Sequence, residues 1–180
     1  MTAALPTFAL ASTLLILAPG PDSLLVLRNT LRHGRRAGWV TATGTMSGLL
    51  AWAVAAAFGL SALLRVSHLG YDLLRLAGAC YLLWLGVSSL WPSRAPHAAP
   101  HTGPAGPAPG EAGWRRVYLN GLLSNLLNPK IGVFFIAFLP GFIPAGAPAP
   151  LFPLALGLWF IAETGAWLAS LAWMAARGAG

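Results

Sequence analysis

The sequence predicts an all-α integral membrane protein: a helical bundle of five transmembrane segments, arranged as two inverted repeats with broken helices. Three observations carry that prediction. The chain is 57% hydrophobic and 8% charged, where a soluble domain carries about 25% charged residues. With 180 residues and a mean hydropathy of +0.69, it has more apolar surface than one small core can bury. The apolar residues fall into five runs, each long enough for a bilayer crossing of roughly 20 residues. Two of the runs are interrupted by proline beside a charge, at Ala18-Pro19-Gly20-Pro21-Asp22 and at Leu127-Asn128-Pro129-Lys130.

Taken in order, the first segment covers about 5–27 and is broken at Pro19, Gly20 and Pro21. These residues remove backbone donors and interrupt a helix. No Lys or Arg precedes the run, so it does not read as a cleaved signal and is expected to stay in the mature protein. A basic connection follows, with Arg28, Arg32, Arg35 and Arg36. The second segment, about 38–63, is rich in small residues. Its Gly44 and Gly48 form a small-xxx-small face suited to close helix packing. Arg65 and His68 then make a short connection.

The third segment covers about 70–91, with Trp91 as an interfacial anchor. Asp72 and Arg75 are spaced to pair on one helical face. Residues 92–112, rich in Pro, Ala, Gly and His, read as a flexible linker. The fourth segment, about 114–142, is broken at Asn128-Pro129. The fifth, about 151–174, carries Glu163 near its middle. The whole chain, 1–180, reads as one membrane domain: repeat one about 1–91, the linker, and an incomplete repeat two about 113–180.

Several function classes fall away. The net charge of +7 and pI near 11.2 suggest nucleic acid, but the arginines cluster at the ends of apolar runs, where they set topology. One cysteine, Cys80, excludes an intramolecular disulfide and is expected to serve packing. His97 and His101 have a helical metal spacing, but Pro96 and Pro100 stand in the way of a helix there, so no metal or cofactor is expected. No catalytic set or nucleotide motif marks an enzyme. Arg28, Arg32, Arg35, Arg36, Arg94, Arg115, Arg116 and Arg177 fall on one side of the predicted topology, which is therefore cytoplasmic. This puts the N-terminus outside if the first segment spans, and inside if it is re-entrant.

The two breaks align with each other: Pro21-Asp22-Ser23 lies over Pro129-Lys130-Ile131. Inverted repeats meeting at discontinuous helices are a plan used by secondary transporters. Proline at the first position of a half-helix loses no hydrogen bond, and Asn128 is a good N-cap. The helix end at Pro129, with Lys130, suits a carboxylate, while Asp22 suits an ammonium group or a proton. The plain structural alternative is that Asp22 and Lys130 simply pair. Glu163 shows no obvious partner within its own segment. A membrane-centred carboxyl favours its neutral form, which a proton-coupling group needs. Asn125, beside the break, is a better cavity-lining candidate than Asn120.

These residues resemble the LysE/RhtB family of bacterial amino-acid exporters. The similarity lies in Ala18-Pro19-Gly20-Pro21-Asp22, in Leu76-Ala77-Gly78-Ala79-Cys80-Tyr81-Leu82-Leu83-Trp84-Leu85-Gly86, and in Gly121 to Lys130 followed by Phe138-Leu139-Pro140-Gly141-Phe142. The resemblance implies efflux of amino acids or similar metabolites across the bacterial inner membrane, driven by protons. It places Asp22, Asn128, Pro129 and Lys130 in the functional pattern. Such members carry a sixth hydrophobic segment, and here that helix is expected to be missing. The implied partners are an amino acid, protons and the bilayer, with a homo-oligomer left open. The competing expectation is a truncated, non-transporting membrane subunit or remnant.

Overall fold

The structure is a computed structural model that describes residues 4–66, 69, 73, 76–81, 83–84, 87, 111–144, 146–148 and 150–178. Among the described residues the regular structure is entirely helical. Helix α1 spans Ala4–Leu17 and α2 spans Pro21–His33, the two bent by 50° at the break. The prolines explain where the break falls. Pro19 has no N–H to offer the Leu15 carbonyl one turn back. Gly20 then adopts an extended conformation, and Pro21 opens α2 at the first position, where its missing donor costs nothing.

Helix α3, Arg35–Val66, is the longest element among the described residues. Helix α4, Glu111–Leu126, is followed by the short α5, Pro129–Val133, across the second break. The chain then loosens into a π-helical turn, Phe134–Phe138, and a 3₁₀ turn, Leu139–Phe142. Pro140 and Gly141 in that last turn cannot sustain a regular α ladder. This second broken pair is also bent by 50°. Helix α6 spans Leu151–Gly178.

Arg35–Gly59 of α3 and Leu151–Arg177 of α6 are long and apolar enough to cross a membrane, and the number rises to four if each bent pair is one span. The third expected segment lies largely outside the described residues, as do Asp72, Arg75, His68, Trp91, Arg94, His97 and His101. Arg65 is described in its backbone only.

Two expectations need correction. The basic stretch after residue 27 is not a connection: α2 runs on to His33 and α3 begins at Arg35. Buried Val26 and Thr30 keep α2 on the core, and basic residues suit the C-terminal end of a helix. Gly34, at φ 80°, makes the whole turn, its N–H bonded to the Thr30 carbonyl at 2.9 Å. Cys80, expected in packing, is exposed instead, on the outer side of a helical stretch whose Gly78 is the buried residue.

Packing has two centres. Phe8 of α1, Leu49 of α3, Phe134, Phe135 and Leu139 of the irregular turns, and Phe160 of α6 form one buried cluster. Within it, the Phe134 and Phe160 rings stack at 4.2 Å. Val26, Ala42, Leu168 and Ala172 form a smaller one joining α2, α3 and α6. Helices α3 and α4 come closest. A Cβ on Gly44 would lie 2.1 Å from the Tyr118 carbonyl oxygen, and one on Gly121 would lie 2.3 Å from the Thr41 carbonyl oxygen. The small residues read from the sequence are therefore a contact face on which backbone meets backbone.

Gly44→Ala is expected to lower stability by about 1–3 kcal/mol, because overpacking here strikes backbone that cannot move aside. Gly59→Ala, where nothing lies within 4 Å, is expected to raise it by about 0.5–1 kcal/mol through backbone entropy. Thermal unfolding of the two variants in detergent checks this; equal shifts would refute the close-approach argument.

Candidate functional site

The helix breaks are joined by an exchange of side chains. Asp22, in the first turn of α2, is buried. Its carboxylate accepts from Ser124 Oγ at 3.0 Å, Asn125 Nδ2 at 2.8 Å and Asn128 Nδ2 at 3.3 Å. All three donors come from the end of α4 and the second break. In the other direction, Lys130 of α5 reaches the first break. Its Nζ donates to the Leu15 carbonyl at 2.8 Å and the Ala18 carbonyl at 2.9 Å. Leu15 is the carbonyl that Pro19 leaves without a helical donor, so the ammonium caps the negative end of α1.

Asn128 has two roles. Its Oδ1 accepts from the Lys130 backbone N–H at 3.1 Å, which caps α5 as the sequence suggested. Its Nδ2 holds Asp22. Asn125 is fully buried, with Gly48 packed against its side chain and its Oδ1 unpartnered. Asn120 is exposed. Asp22 and Lys130 therefore share a neighbourhood without being hydrogen-bonded partners. Both line a small cavity of about 30 Å³, together with Ser23 and Thr164. Thr164 Oγ1 is buried there without a partner. A space that size takes about one water-sized group.

Glu163 lies apart from this exchange and is partly buried. It has a partner in its own helix, contrary to the expectation: Trp159 Nε1 donates to Oε1 at 2.8 Å. The i, i+4 spacing of Trp159 and Glu163 was the available signal. Ser12 of α1 donates to Oε2, and Thr13 lies at 3.4 Å from Oε1. Ser124, Thr164 and Ser12 were not singled out from the sequence. Small hydroxyl residues are common in packed membrane helices and carry no distinguishing pattern there.

A larger cavity of about 630 Å³ lies between α1 and the α5 region. Leu14, Tyr81 and Phe138 give it apolar walls, and Asn128 and Lys130 give it a polar edge. It has the size of a small-molecule site, with few polar groups to fix orientation.

Fold and site together define a helical membrane protein with two interlocked helix breaks, each carrying one buried charge. The chain belongs to the LysE type translocator family, whose model matches residues 13–179. It is similar to a leucine efflux protein of Enterobacter sp. (strain 638), 32% identical over 78% of this chain and 64% of that protein. A homoserine/homoserine lactone efflux protein of Salmonella typhimurium is 33% identical over 84% of this chain and 70% of that protein. An uncharacterized membrane protein of Bacillus subtilis, YrhP, is 31% identical over 73% of this chain and 64% of its own length. The chain thus spans a little under two thirds of two of these relatives. No solved structure matches it.

Lys130→Met is expected to destabilise the protein by about 1–3 kcal/mol for each carbonyl left buried without a donor. Glu163→Gln, which keeps its one acceptor oxygen for Trp159 Nε1 and turns its amide as donor towards Ser12 Oγ, whose own hydroxyl can donate to the Ala9 carbonyl at 3.0 Å, is expected to cost under about 1 kcal/mol. Thermal unfolding in detergent ranks the two; a milder effect for Lys130→Met would show that the α1 end does not depend on its ammonium.

Proposed function

We propose that this chain is a secondary transporter that exports amino acids or related small metabolites from the cytoplasm across the bacterial inner membrane, coupled to the proton motive force. The observation that carries the reading is the exchange of Asp22 and Lys130 between the two breaks. Buried charge at discontinuous helices marks transport pathways rather than anchors. The efflux activities for which two relatives are named support the substrate class. They also favour an exporter over the non-transporting subunit.

In this reading a five-segment, inverted-repeat bundle presents the breaks near the bilayer midplane. The substrate carboxylate meets Lys130 and the N-terminal end of α5, and its amine meets Asp22. Both charges already have protein partners. Substrate therefore binds by replacing them, loosening the ties between the two broken helices. Relative movement of the half-helices then turns the site outward. Proton exchange on Asp22 or Glu163 resets it and draws on inward proton flow.

The test uses cells lacking their own exporters, loaded with amino acids by feeding dipeptides, with and without this chain. Faster extracellular accumulation of one amino acid is expected. Asp22→Asn is expected to abolish it while membrane insertion stays intact, because one amide oxygen cannot replace a charge that accepts three hydrogen bonds. Normal export by that variant would remove Asp22 from the mechanism.

A further inference from the structure

A second cavity, of about 600 Å³, lies between α2 and α4, lined along α2 from Pro21 to Leu31 and by the half of α4 nearest the second break, from Asn120 on to Leu127. The cavity beside α1 and α5 is a separate one, and Pro21 of the first break lines both. The two volumes are nearly equal, and Ser124 stands between the α2–α4 cavity and the buried carboxylate. It lines the cavity and donates its hydroxyl to Asp22. Leu24, Leu31 and Leu123 supply apolar wall, while Arg28, Asn120 and Ser124 are its polar groups.

Like Arg115 and Arg116, Arg28 is exposed; among the described residues it is the arginine that lines this cavity. Arg35 lies 5.9 Å from the Trp39 ring, Arg36 lies 4.7 Å from the Trp114 ring, and Arg177 lies 3.8 Å from the Trp173 ring. Arg32 is also engaged. Arg28 makes no hydrogen bond, ion pair or ring contact among the described residues, and it lines the cavity. The positive-inside signal is already supplied by its neighbours. An unpaired guanidinium on a mostly apolar wall presents a planar fork of donors suited to a carboxylate. Residues 22 and 28 are separated by about 9 Å of helical rise, so the two groups are successive stations rather than one clamp.

We infer that Arg28, with Asn120 and Ser124, forms an intake subsite that takes the carboxylate of a neutral, aliphatic α-amino acid ahead of Asp22. Among the described residues the lining is mostly leucine, which accepts an apolar substrate side chain, and holds no carboxylate to favour a basic one. The inference rests on the exporter reading and adds to it where substrate is first held and which substrates are favoured.

Leucine and homoserine counterflow in proteoliposomes holding the full chain tests it, with isoamylamine, which is leucine without its carboxylate, as competitor. The wild type is expected to favour leucine clearly over isoamylamine. Arg28→Gln is expected to raise the half-saturation for leucine about tenfold with a nearly unchanged maximal rate, the effect of losing a charged hydrogen bond. Its inhibition by isoamylamine stays the same. Arg28→Lys, which keeps the charge but not the fork, is expected to fall between, and decides the matter if Arg28→Gln does not fold. Unchanged half-saturation in a folded Arg28 variant, with the wild type active, overturns the subsite alone. A wild-type chain inactive with both substrates overturns the subsite, and, if no amino acid accumulates outside dipeptide-fed cells either, the exporter reading with it.

Discussion

A helix broken inside a membrane has free carbonyls at one end and free N–H groups at the next, and no water in the hydrocarbon to satisfy them. The rest of this structure depends on how that problem is met. Lys130 satisfies the end of α1. Asn128 satisfies the start of α5 and, with Asn125 and Ser124, holds the one charge at the start of α2. Side chains of the second break thus complete the first, from Lys130 to the end of α1 and from Asn128 to Asp22. The two bent pairs are consequently held as one unit although they are far apart in sequence.

That unit needs its parts within a few ångströms, and glycine provides the approach. Gly44 and Gly121 bring the α3 and α4 backbones together, and Gly48 leaves room for the Asn125 side chain. The amide is thereby aimed at Asp22 from a fully buried position. On the other flank, Trp167 of α6 donates to Ser23, the neighbour of Asp22, at 3.2 Å. The packing is therefore what sets the geometry of the polar exchange.

Much of the site was legible because its residues break local rules. Proline, glycine and charge inside apolar runs have few innocent explanations, and Asp22, Asn128, Pro129 and Lys130 stood out on that ground alone. The Asn128 cap followed from its place before proline. What could not be read was direction. Spacing shows that Asp22 and Lys130 are buried, but it cannot say that each bonds across to the opposite break instead of to the other. Ser124 and Thr164 gave no signal, since a hydroxyl in a helix usually bonds its own preceding turn, as Thr30 does to Val26 here. The helical course of the Arg28–Arg36 stretch was missed because charge was read as loop. Tertiary contacts through Val26 and Thr30 outweighed that local cue.

The separation of the two charges bears on how such a site can move. A direct buried ion pair is hard to open, since removing one partner leaves the other charge uncompensated. Here each charge is satisfied by neutral groups: amides and a hydroxyl for Asp22, backbone carbonyls for Lys130. A zwitterion offers the complementary pair of charges. In the proposed exporter reading it replaces neutral partners with charged ones, so that its arrival would strengthen the interactions of both residues while breaking the ties between the helices. A ligand shifts a conformational equilibrium only by its differential affinity for the two states. An arrangement in which binding and untying are the same event supplies that difference directly, without requiring a salt bridge to be broken first.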